Sequence, residues 1–88
     1  MNKKIQINKY RALFPKQIKV RITPFEGSGF GARILNFKGS ITEGNTFSEL
    51  IFMINDCVRT ILEVPNHLLD SMPEYITTKE LSQKFTNI

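Results

Sequence analysis

Tryptophan is absent, cysteine and histidine occur once each, and no acidic residue appears before Glu26. Each scarcity excludes something. A single cysteine, Cys57, cannot form an internal disulfide, so a bridged secreted scaffold is ruled out and a reducing cytoplasm is the expected compartment. The longest uninterrupted apolar run, Leu50 to Ile54, falls far short of the roughly 20 residues that span a bilayer. No apolar block follows the basic residues at the start, so no signal peptide is expected. His67 has no second histidine or cysteine at metal-ligand spacing, and no metal or cofactor is expected.

What remains is a chain of 88 residues, 41% hydrophobic and 23% charged, the size of one small domain. A domain this small buries only about 60–65% of its unfolded surface, leaving little volume for a deep, dry pocket. The charge is lopsided. Residues 1–25 carry +7 and residues 26–88 carry −3, for a net +4. The basic segment attracts phosphate backbones or an acidic protein face, or else is a solvated surface that keeps the chain soluble. For nucleic acid the candidate residues are Lys3, Lys4, Lys9, Arg11 and Lys16, with Tyr10 and Phe14 interleaved to stack on bases.

Residues 1–16 carry two local patterns. Ile5 and Ile7 alternate with polar neighbours as in a short strand, whereas Tyr10 to Phe14 reads as a helical turn stopped by Pro15. The segment is expected to be a loosely held basic arm, with residues 17–88 forming the domain. From Gln17 to Pro24, Ile18, Val20 and Ile22 point one way and Lys19, Arg21 and Thr23 the other, the period of a half-buried strand. Phe30 to Phe37 repeats it, with Phe30, Ala32 and Ile34 against Gly31, Arg33 and Leu35. The glycines in Glu26-Gly27-Ser28-Gly29 close a hairpin between these runs. Lys38-Gly39 is a second turn, and Ser40 to Glu43 a short third strand broken by Gly44-Asn45.

Thr46-Phe47-Ser48-Glu49 is a capping box, the signature of a helix start. Phe47, Leu50, Ile51, Ile54, Val58, Ile61 and Leu62 then recur at helical spacing, with Asn55, Asp56, Arg59 and Glu63 toward the opposite side. Pro65 stops the helix near Glu63, so 17 residues, Phe47 to Glu63, would run about 25 Å. Beyond it, Asn66 is placed to cap a turn from His67 to Met72, Tyr75-Ile76-Thr77 to add a strand, and Thr77 to Glu80 to form a second capping box. The expected fold is α+β: a three-stranded, mainly antiparallel sheet packed on one long helix, in the order β-β-β-α.

No constellation for catalysis emerges. Cys57 lies near the apolar side of the helix as a small hydrophobe. Asp56 and Glu63 lack further ligands on their face. The glycine-rich stretch 27–31 joins strand to strand, whereas a phosphate cradle needs a helix N-terminus directly after it. No enzymatic activity is expected.

The stretch Phe30 to Pro65 resembles the HicB family of bacterial antitoxins. The relevant residues are Leu35-Asn36-Phe37-Lys38-Gly39, Ser40-Ile41-Thr42-Glu43 and Gly44-Asn45-Thr46-Phe47-Ser48-Glu49-Leu50. Gly39, Thr42, Gly44, Thr46 and Glu49 match the family pattern in place. Asn45 stands for its acid, Leu35 and Lys38 for its two prolines, and Leu50 for its alanine. The resemblance implies an antitoxin that neutralises a small HicA-like ribonuclease by direct binding. It also places the partner-binding candidates Arg33, Asn36, Phe37 and Lys38 at the family's characteristic turn. Many such antitoxins add a DNA-binding domain. Here Ile76 to Phe85 looks like the first helix of a helix-turn-helix, yet the chain reaches only Ile88, so packing on the sheet or a partner is expected instead. A homodimer or higher oligomer is expected, because small domains gain stability by self-association and Phe52 and Met53 lie off the core stripe. The alternative is a small nucleic-acid-binding regulator that uses the basic arm.

Overall fold

The computed structural model describes residues 2–78. The elements are α1 (Lys3–Arg11), β1 (Val20–Pro24), β2 (Phe30–Ile34), β3 (Ile41–Gly44), α2 (Phe47–Ile61) and a 3-10 helix (Asn66–Ser71). The three strands form one antiparallel sheet in the order β1-β2-β3, with α2 across one face. This is the expected α+β architecture.

The strand alternation holds. Val20, Ile22, Phe30, Ala32 and Ile34 face α2, while Arg21, Thr23, Arg33, Ile41 and Glu43 face away. At the β1–β2 turn, Gly27 and Gly29 take φ of 96° and 93°, a region open to glycine, and the Phe25 amide donates to the Gly29 carbonyl at 2.9 Å. The third strand starts one residue later than expected. Ser40 is buried instead, and its carbonyl accepts from the Ile34 amide at 3.0 Å.

Helix α2 begins as its capping residues dictate: the Glu49 amide donates to Thr46 Oγ1 at 3.0 Å. Gly44 lies directly beneath this first turn. A Cβ at Gly44 would come within 2.6 Å of the Leu50 nitrogen, so only glycine lets β3 meet the helix so closely. Phe47, Leu50, Ile54 and Val58 are buried against Ala32 and Ile34, and the Phe30 and Phe47 rings meet edge to face at 6.1 Å.

The helix ends two residues earlier than expected, at Ile61. The Val64 amide bonds the Arg59 carbonyl at 3.1 Å and the Glu63 amide bonds the Thr60 carbonyl at 3.0 Å. This is the Schellman closure, with Glu63 at φ 55° in the position that usually takes glycine. Turning the chain there, rather than running on to Pro65, drives Val64 into a second apolar cluster with Leu68 and Met72.

That second cluster changes the reading of both ends. In place of the loose arm expected over residues 1–16 stands helix α1, capped by Asn2, whose side chain accepts from the Lys4 amide at 2.7 Å. Ile7, Tyr10 and Phe14 follow helical, not strand, spacing and pack on Val64, Leu68 and Met72. Ile5, the other half of the strand-like alternation, is exposed. The 3-10 helix starts at Asn66 itself, with Pro65 in the cap position. Tyr75 to Thr77 does not join the sheet. The second capping box and most of the stretch Ile76 to Phe85 run past residue 78, outside the described residues.

Asn55 is the main departure within α2. Its sequence position put it on the polar side, yet it is only 4% exposed. Its amide group pairs with the backbone of Tyr75: the Tyr75 amide donates to Oδ1 at 2.7 Å, and Nδ2 donates to the Tyr75 carbonyl at 2.9 Å. Nδ2 also reaches the Ile51 carbonyl at 3.0 Å. A buried side-chain amide satisfied in this way substitutes for a strand partner and holds the tail on the helix.

Candidate binding surfaces

Among the described residues α2 covers one side of the sheet and no element covers the other. Strand register sets its pattern. Arg21 lies directly opposite Arg33, which lies opposite Ile41; Thr23 lies opposite Gly31, which lies opposite Glu43. The Phe25 ring folds back over Gly31, where an added Cβ would meet its Cζ at 2.8 Å. Phe25 is 44% exposed and Ile41 63% exposed. Among the described residues neither Arg21 nor Arg33 makes an ion pair. Arg21, Thr23, Phe25, Arg33, Ile41 and Glu43 line a shallow depression here.

A second concavity lies at the end of the sheet. Glu43 and Glu49 line it with Phe25, Gly44 and Met53, in an open groove of about 450 Å³. The stretch Gly39 to Glu49 supplies half of its lining: Glu43, Gly44, Asn45 and Glu49. The third, about 160 Å³, runs between β1 and α2 and is lined by Ile18, Val20, Ile22, Ile51, Ile54 and the tail from Tyr75.

The four turn candidates sit in different surroundings. Arg33 is exposed on the open sheet face. Asn36 is occupied in joining its turn to the approach of β1: its Oδ1 accepts from the Lys19 amide at 2.7 Å, and its Nδ2 lies 3.5 Å from the Gln17 carbonyl. Phe37 is half-buried against the main core. Lys38 is exposed at the tip. Two of the four therefore serve the fold.

The basic candidates also divide. Lys3, Lys4 and Lys9 are exposed on α1 and Lys16 on the loop after it, with the Lys9 ammonium 5.7 Å from the Tyr10 ring centre. Arg11 instead ties α1 to the 3-10 helix by donating to the Ser71 carbonyl at 2.7 Å. His67 is exposed, with Nε2 3.4 Å from Gln6 Oε1, so it too joins these two elements. Burial, aided by Asp56, pushes the Cys57 thiol above its ordinary value.

Sequence reasoning missed Arg21, Phe25 and Ile41 as surface partners of Arg33. Alternation placed Arg21 and Arg33 on the outer face, but their opposition needs the register. Among the described residues no group of three or more His, Cys, Asp or Glu could hold a metal ion, and no helix is long and apolar enough to cross a membrane. No protein-family model matches the chain, and neither a curated protein nor a solved structure does.

Proposed function

We propose that this chain is a protein-binding antitoxin of the HicB-like kind, which neutralises a small partner ribonuclease by direct complex formation and carries out no chemistry of its own. The observation that carries the reading is the groove between β3 and the first turn of α2. Glu43 and Glu49 stand there beside the apolar Phe25 and Met53. A ribonuclease that grips RNA presents cations, and carboxylates flanking apolar anchors complement such a surface. The residues that resemble the antitoxin family, Gly39 to Glu49, are those that form the turn, β3, the close approach at Gly44 and the helix cap. The exposed ring of Phe52 on α2, 66% accessible, supports self-association as part of the same reading.

The test is co-expression with the product of the adjacent reading frame. That product should be toxic alone, harmless with this chain, and recovered with it in one complex. Glu43→Lys should weaken the complex at least about tenfold, because it sets like charges against each other. A neighbour that stays toxic in the presence of the intact, folded chain overturns the proposal.

A further inference from the structure

We infer that the open face of the sheet is a binding surface for single-stranded nucleic acid, on which Arg21 and Arg33 take the phosphates and Phe25 stacks a base. The inference goes beyond the antitoxin reading and does not rest on it. It concerns the face opposite α2, which borders the acidic groove and shares Phe25 and Glu43 with it.

The argument starts from an unfavourable contact. Directly opposed residues of an antiparallel pair have Cβ atoms about 4.5–5.5 Å apart, and like charges there destabilise the sheet. Arg21 and Arg33 are such a pair, and among the described residues no carboxylate neutralises either one. Glu43 shares the face but lies in the next row, opposite Gly31. The uncomplexed protein thus carries two like charges at directly opposed strand positions, and a phosphate taken between them would convert repulsion into charge-assisted hydrogen bonds. Lys19, exposed and one step along the same alternation, extends the positive edge.

The second observation is the ring beside them. The tip of the Phe25 ring sits over Gly31, which has no side chain to displace it, and 44% of the residue stays exposed. Ile41 completes the row begun by the arginines and adds an exposed apolar contact. A platform with an aromatic ring and adjacent cations suits unpaired bases, whose faces stack and whose backbone follows the charge. A duplex hides its base faces, and this shallow face offers no protruding element to enter a groove. An acidic protein would also satisfy the arginines, and polyglutamate stands in for it in the test below.

Fluorescence anisotropy of the full chain with labelled oligo-U and oligo-dT tests this at low salt. Both should bind, and a duplex of equal length should bind more weakly. Arg21→Gln/Arg33→Gln should lower affinity at least about tenfold and flatten the salt dependence. Phe25→Leu should lower it at least about fivefold with the salt slope unchanged. Arg33→Thr supplies a readout independent of ligand. It should raise the melting temperature of the free protein while weakening binding, the opposite of what a structural arginine would do. Several results would overturn the inference: no binding at low salt; equal binding by the double arginine variant with its circular dichroism unchanged; or loss of binding in Lys3→Gln/Lys4→Gln/Lys9→Gln alone, which assigns it to α1. Polyglutamate competing as well as oligo-U would also do so, because the face would then be a generic anion surface.

Discussion

The two apolar clusters of this chain are built on different principles. The first, between the sheet and α2, buries Ala32, Ile34, Phe47, Leu50, Ile54 and Val58, drawn from elements that also share strand ladders or a capped helix. The second, among the described residues, buries Val64, Leu68 and Met72. Around it α1 contributes no fully buried residue, and its fastenings are single contacts such as Arg11 to Ser71. Phe14 and Leu62 border both clusters. The difference teaches that regular periodicity and burial reinforce one another in the first cluster. In the second, a turn geometry brings irregular segments together, so its cohesion depends on the first.

The largest expected effect tests that dependence. Leu50→Ala should cost about 2–5 kcal/mol and unfold both clusters together, as read by urea denaturation. Leu68→Ala should fall at the low end of the same range and raise amide exchange in α1 while leaving β2 protected. Equal loss of protection throughout would show that the two clusters are one cooperative unit and would break the comparison.

A smaller effect probes the seam. Asn55→Ala removes the side chain that pairs with the Tyr75 backbone and should cost about 1–3 kcal/mol, because buried peptide groups lose their partners. Exchange should rise around Tyr75 but not in β1–β2. The smallest effect concerns Tyr75 itself, whose hydroxyl donates to the Pro15 carbonyl at 2.5 Å and whose ring meets Phe14 at 6.4 Å. Burial pushes its phenol above the ordinary value of 10.0. A raised folded value means that this contribution is fully present below the unfolded pKa and is lost as pH rises through the folded one. Stability should therefore fall more steeply above about pH 10 in the wild type than in Tyr75→Phe, which should itself cost about 1 kcal/mol at neutral pH. Cys57→Ala in both backgrounds removes the overlapping alkaline titration of the thiol, also raised by burial.

Much of the first cluster was legible. Ile18 to Ile22 and Phe30 to Ile34 carry a period of two because one face is buried and the other wet. Thr46 and Glu49 announce the helix because its first amides need acceptors. The second cluster was not legible, because Ile5 and Ile7 fit a strand as well as a helix until Val64, Leu68 and Met72 are beside them. Asn55 was misplaced because helical periodicity ranks residues by polarity and cannot foresee a buried amide whose partner lies 20 residues away. At the turn, Asn36 and Phe37 looked available because their partners, the Lys19 amide and the main core, are distant in sequence. The open face was half legible: alternation placed Arg33 outward, whereas the Phe25 ring over Gly31 could be found only in space.

Local order alone determined that three short strands precede a capped amphipathic helix, that one side of the sheet is apolar, and that basic charge gathers before Phe25. Periodicity and capping act within a few residues, so a linear reading captures them. The tertiary structure decided which arginine faces which, how Asn55 holds Tyr75, and where α1 docks. These relations join positions far apart in the chain, and they exist only once folding has set register and turn angles.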